Sequence, residues 1–353
     1  MKRWPVSVAV LGVALVATAP AMALRSHPVH RPTLARIDRC FYAPSPSAWW
    51  PLWPRRSPHP VHAGFNDMHG ESPMYAHWGV DVQTSTPRAR VYAMTSGVVA
   101  SVVTSGQDAH LQIGPFFYYH VVSRFRAGTF VGRGDWVGRL VPGVDHVHLA
   151  EKEPGCDLLD PRRLTGPLAD PVNTEHPTIQ NLTAYAANGA AYRIFPSWPS
   201  PDRSTPVALS RLHGVVDLRA EIFDMPVRKT DDNPQQPLMV AAVRSWLAPL
   251  TKTWRRYGRA VTAYDGATWI KDRRAYYNVM APGSVHVRSC FKNPARQCEN
   301  RYILHTAGLG LDTRRYPDRW YHYCISALTI RNVRSTQCWP VRIQNHPRRS
   351  PLG

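Results

Sequence analysis

The sequence predicts a mainly β protein with two folded domains. Three observations carry that expectation. The chain has 353 residues, 44% of them apolar, which is too long for one ordinary small domain and too apolar for a chain disordered throughout. Its 33 prolines work against a helical bundle, because each removes a backbone donor that a helix interior needs. Short β-branched or aromatic runs also recur between glycines along most of its length.

The first residues stand apart. Lys2 and Arg3 precede an uncharged stretch from Trp4 to Met22, and Ala21-Met22-Ala23 places small residues where a signal peptidase reads. Residues 1–23 are expected to be a secretory signal, since the apolar core of about a dozen residues falls short of the roughly 20 a membrane span needs. Its removal takes two positive charges from a formal +19 and leaves no stable membrane anchor. A basic exported chain seeks anionic surface polymers, and export demotes nucleic acid as a partner.

Residues 24–62 hold six arginines against a single acid, Asp38, with no apolar period, and read as an extended basic arm. Residues 63–165 form a first β domain, with strands at 98–103, 111–113 and 116–119. Residues 166–176, which include Asp170-Pro171, are a linker. In the second β domain, 177–345, Val216, Leu218, Ala220 and Ile222 alternate with Asp217, Arg219 and Glu221, the period of a half-buried strand. The runs 276–279, 302–304, 321–330 and 338–343 continue it, while 238–250 fits helix or strand equally and Pro249 limits either. Residues 346–353 are a tail.

Six cysteines are an even count in an exported chain, where disulfides persist. Cys40 and Cys156 bracket a segment of domain size and the other four lie close in sequence, which suggests Cys40–Cys156, Cys290–Cys298 and Cys324–Cys338 out of the 15 pairings that six cysteines allow. In the second domain, 252–274 carries seven basic residues interleaved with Trp254, Tyr257, Tyr264 and Trp269. Such a stripe can bind sugars and phosphate-bearing wall polymers, or serve as strand core.

The chemistry lies in the histidines. Of 16, those in the arm (His27, His30, His59, His62) read as solvated, and His213, His286, His305, His322 and His346 lack a partner at ligand spacing. His77 and Asp81 are four residues apart with Gly79 between them. On a strand an even separation puts both side chains on one face, and the glycine lets the chain bend so that they converge. His146 and His148 share a face in the same way. Two imidazoles and a carboxylate suit zinc and leave a fourth position for water, the arrangement of a catalytic site. Two residues of strand span about 6.6 Å, so one histidine of the pair can bind metal while its neighbour reaches substrate. None of the cysteines lies near these motifs.

His77-Trp-Gly-Val-Asp81, Tyr118-Tyr-His120 and Asp145-His-Val-His-Leu-Ala-Glu151 resemble, in order, the three motifs of the lysostaphin-like peptidoglycan metallopeptidases. The resemblance spans 64–151. It implies an antiparallel β-sheet metallopeptidase domain, and the β-rich remainder resembles the immunoglobulin-like β-sandwich that follows it in some exported members. It also implies that His77, Asp81 and His148 are zinc ligands, that His120 and His146 are the catalytic pair, and that the substrate is a peptide of peptidoglycan. Between Gly138 and His146 only Arg139-Leu-Val-Pro-Gly-Val-Asp145 stands where relatives carry a glycine-rich loop, so the cleft is expected to be wider. The competing expectation is a wall-binding protein, or an activator of other wall hydrolases, that keeps the fold without catalysis. A metal-storage protein using the same histidines is a third.

Overall fold

The computed structural model describes residues 40, 45, 49–69, 75–168, 176–186, 205–224, 238–250, 257–266, 269–271, 301–303 and 310–346. The signal segment, residues 24–39, the run 276–279, Cys290, Cys298 and, within 252–274, residues 252–256, 267–268 and 272–274 lie outside them.

The described chain is mainly β and antiparallel. In the first region one sheet runs in the order Val61–Ala63, Val80–Gln83, His146–Glu153, Phe116–Tyr119, His110–Ile113, Gly97–Val103, Phe130–Val131, and Asp157–Leu159 pairs with His146–Glu153. The strands expected at 98–103, 111–113 and 116–119 are all present. A smaller sheet, Arg90–Tyr92, Trp136–Leu140 and Val121–Ser123, faces it. Val80, Val82, Leu111, Tyr118, Val147 and Leu149 from the first sheet share a core with Val91, Val137 and Leu140 from the second. Burying each such side chain contributes about 1.5–3 kcal/mol. Because residues alternate along a strand, sending Val147 and Leu149 inward turns His146 and His148 to the other face.

The segment 49–62 corrects the expectation of an extended arm. Trp50, Leu52 and Val61 are at most 5% exposed and belong to the same core. The arginines there are accommodated on aromatic faces, the Arg55 guanidinium lying 4.5 Å from the Trp49 ring. Apolar burial by three large side chains outweighs the charge density that the composition emphasised.

The second region is a two-sheet sandwich. One sheet orders Pro206–Val207, Thr178–Ala186, Val215–Phe223, Arg301–Ile303, with Leu311–Asp312 also on Val215–Phe223; the other orders Tyr257–Asp265, Ala242–Pro249, Trp320–Leu328, Arg334–Arg342. Leu218 and Ile222 from one sheet and Val243, Tyr323, Ile325 and Val341 from the other fill the space between. The ambiguous run 238–250 becomes the strand Ala242–Pro249, with a backbone partner on each side and Pro249 at its end, where a missing donor costs least. Strand Val215–Phe223 departs from the half-buried expectation, since Asp217, Arg219 and Glu221 are also buried. The Arg219 guanidinium lies 4.0 Å from the Tyr185 ring, and Glu221 Oε2 accepts a 2.7 Å hydrogen bond from Asn181 Nδ2.

Cys40–Cys156 and Cys324–Cys338 are joined. The second pair sits directly across the Trp320–Leu328 and Arg334–Arg342 ladder.

Candidate metal centre

Three strands build the centre on the face of the sheet opposite the core. Asp81 lies on Val80–Gln83, directly across from His148 on His146–Glu153, which in turn faces Tyr119 on Phe116–Tyr119. His77 precedes the first of these strands. It is held by the turn at 64–67, where Asn66 N–H donates to His77 O at 2.7 Å and His77 N–H donates to Asp67 O at 2.8 Å.

The side chains of His77, Asp81 and His148 converge. His77 Nε2 is 2.7 Å from His148 Nδ1 and 3.2 Å from Asp81 Oδ1, and His148 Nδ1 is 3.1 Å from the same oxygen. All three residues are buried. His77 Nδ1 donates to the Gly64 carbonyl at 2.9 Å, which leaves the lone pair on Nε2, the atom that faces Asp81. Gly79 makes the close approach possible: a Cβ there would stand 2.5 Å from Leu149 O and 2.7 Å from His148 Nε2.

Two nitrogen donors and a carboxylate oxygen at these spacings fit a cation. With ligand bonds of about 2.0–2.1 Å, the edge of a tetrahedral zinc site is about 3.3 Å. The Asp81 oxygen stands just inside that edge from both nitrogens, at 3.1 and 3.2 Å, and the two nitrogens, 2.7 Å apart, lie about 0.6 Å inside it. His148 Nε2, on the ring's far side, is buried without a hydrogen-bond partner among the described residues, so the ring is held by its Nδ1 contacts and by packing.

The charges are consistent with such a site. Burial pushes the Asp81 carboxyl up, but the charges of His77 and His146 and hydrogen bonds from His148 and His62 hold it well below the usual range. Burial lowers His148 to about 4, so this ring is neutral at neutral pH, as a ligand must be. For His77 burial acts in the same sense, yet Asp81 overrides it and the net shift is upward.

His120 and His146 stand beside this trio with ring centroids 4.9 Å apart. His120 adopts a left-handed backbone conformation, φ 63°, at the junction of two strands. Its Nδ1 donates to Gln107 O at 2.6 Å, which leaves Nε2 as the basic nitrogen. Burial lowers its pKa. His146 Nδ1 instead meets Asp145 Oδ1 at 2.9 Å, and its Nε2 is 3.8 Å from Asp81 Oδ2. Burial lowers His146, but Asp81 and Asp145 together raise it above the ordinary histidine value.

Several neighbours had no role assigned from the sequence. His62, read there as solvated, has its Nε2 3.5 Å from Asp81 Oδ2 and its ring centroid 4.7 Å from that of His146. His69 stacks on His77 at 4.6 Å. Trp78 lies 4.2 Å from His148 and 4.7 Å from Tyr119, ring to ring, and forms an aromatic wall. The second region also reaches the site's support. Asp67 Oδ1 accepts from Met239 N–H at 2.8 Å, Asn66 Oδ1 from Ile270 N–H at 2.9 Å, and Ala76 O from Trp269 Nε1 at 2.8 Å. Asn-Asp after a glycine and a phenylalanine was the one available signal, at Gly64-Phe65-Asn66-Asp67.

No family model and no curated protein matches the chain. Among solved structures it is similar to a crystal structure of a candidate peptidase M23 from Pseudomonas aeruginosa, with 17% identity and a TM-score of 0.20 over 34% of this chain. The chain spans 56% of that structure's length, and so slight a superposition carries no weight for function.

Proposed function

We propose that this chain is an exported zinc metalloendopeptidase that hydrolyses peptide bonds in peptidoglycan cross-links. The observation that carries the reading is the meeting of His77 Nε2, Asp81 Oδ1 and His148 Nδ1 within 3.2 Å, with two further imidazoles alongside. His77, Asp81 and His148 would hold zinc, which supplies a Lewis acid for the scissile carbonyl and lowers the pKa of a water towards about 7.

The protein's own groups then divide the proton traffic. His120, kept neutral by burial and turned by Gln107 so that Nε2 is free, accepts the proton of the attacking water. His146, whose proton is favoured by Asp145 and Asp81, donates to the developing oxyanion. Trp78 and Tyr119 cover one side of His148 and limit water there. Peptidoglycan as substrate rests on the three ordered motifs. Export is supported by the signal-like first residues and by two disulfides among the described residues. No helix among the described residues is long and apolar enough to cross a membrane.

The test is turnover. Zinc-loaded protein is expected to release free peptide ends from cross-linked peptidoglycan, with His120→Ala and His146→Ala each slower by about 10²–10⁴-fold while still binding zinc at His77, Asp81 and His148. Full activity in both variants would defeat the assignment.

A further inference from the structure

Asp81 presents its two oxygens to two different sets of imidazoles. Oδ1 faces His77 and His148, while Oδ2 faces His62 Nε2 at 3.5 Å and His146 Nε2 at 3.8 Å. We propose that His62, Asp81 and His146 form a second site for a divalent transition-metal ion, bridged to the first by the Asp81 carboxylate, and that filling it stops turnover. The proposal rests on the zinc reading of the first site.

The second set is built into the sheet. Strand Val61–Ala63 pairs with Val80–Gln83 irregularly, Val61 against Val82 but Ala63 against Asp81, so two residues of one strand oppose one of the other. Such a bulge re-aims a side chain, and here it brings His62 over Asp81 while Val61 stays in the core. His146 is prepared from its far side. With Nδ1 bonded to Asp145 Oδ1 at 2.9 Å, its lone pair lies on Nε2, the carboxylate–histidine arrangement common behind metal ligands. The ligand atoms of His62, Asp81 and His146 all lie within 4.8 Å of one another. The distances from Asp81 Oδ2 to His62 Nε2 and His146 Nε2 exceed the tetrahedral edge of about 3.3 Å by a few tenths of an ångström, which a side-chain adjustment closes.

Donor chemistry selects the occupant. Two imidazoles and one carboxylate favour zinc, cobalt or copper over magnesium or calcium, which prefer all-oxygen shells. A shared carboxylate suits the spacing of about 3.5–4 Å usual between paired ions. Exposure ranks the two sites. His62 and His146 side chains are 13% and 20% exposed, against 1% and 7% for His77 and His148. The second ion should therefore bind more weakly and exchange readily. Its cost to catalysis follows from His146, whose Nε2 would be bound to metal and unable to carry a proton.

The experiment is a titration of the metal-free full chain with zinc by calorimetry, repeated with cobalt to read ligand-field absorption, and followed by activity at each ratio. The wild-type chain is expected to bind two equivalents, the second at least tenfold more weakly, with activity rising over the first and falling over the second. His62→Gln should bind one, and its activity should no longer fall as metal is added beyond that. His62→Glu, which returns a carboxylate donor to the same place, should recover the second equivalent and covers the case in which the glutamine variant folds poorly. One equivalent only in the wild-type chain, or a second that persists in His62→Gln, would overturn the proposal and leave the peptidase reading standing. No zinc bound at all would remove both.

Discussion

Gly79 sets the tolerance of the centre. An added methyl would meet a strand carbonyl at 2.5 Å and the His148 ring at 2.7 Å, and neither is a flexible chain end. Gly79→Ala is expected to cost about 1–3 kcal/mol of stability by overpacking, and to weaken zinc binding at least tenfold in a chelator competition. The two buried imidazoles make opposite demands on pH in the metal-free protein. His148 is depressed to about 4, so the unfolded chain takes up its proton first, and stability falls as pH drops from about 6.5 towards 4. His77 is raised by Asp81, so its contribution is present below about 6.5 and is lost as pH rises through its folded value. Denaturant midpoints of the metal-free chain should therefore peak near pH 6.5. In His148→Gln the acid-side decline should shrink by up to about 3 kcal/mol. Spacing alone made His77, Asp81, His146 and His148 legible as a cluster, because a strand's period of two fixes the face a side chain takes. His62 was not legible, because its orientation depends on a bulge, and nothing in the run Val61-His62-Ala63 marks one.

At the scale of elements, β-branched and aromatic runs identified the strands that flank the site. The reading failed where tertiary partners decide. Residues 238–250 are a strand because they are paired on both sides, and the charged face of Val215–Phe223 is covered because Tyr185, Asn181 and Gln180 meet it. The Cys324–Cys338 bridge joins strands already paired along their whole length. With its ends 14 positions apart in sequence, its reduction is expected to cost about 3 kcal/mol or less, measured as a shift in denaturant midpoint.

At the scale of the molecule, the two β regions belong to one compact unit, 32–353, and the second supports the first. Leu238 and Trp269 pack on the core of the first region, and Asn66 and Asp67, which hold His77, are themselves held by backbone groups of residues 239, 266 and 270. A division into independent catalytic and wall-binding parts, natural from the sequence, overlooks these contacts because they join residues about 200 apart. A chain ending at residue 168 is expected to fold poorly and to bind zinc at least tenfold more weakly, as seen by near-ultraviolet circular dichroism and zinc titration. The Cys40–Cys156 bridge closes 116 residues around the centre, and its loss should cost about 5 kcal/mol on chain-entropy grounds, more than the C-terminal bridge.

Metal, reaction and bond are tested together by mass spectrometry of fragments released from defined cross-linked peptidoglycan by the zinc-loaded full chain, with a chelator-treated sample beside it. The expected result is new peptide termini at one kind of cross-link bond, lost with chelator and absent in His148→Ala. Intact cross-links in the presence of stoichiometric zinc, or the same fragments with chelator present, would contradict a zinc peptidase built on His77, Asp81 and His148.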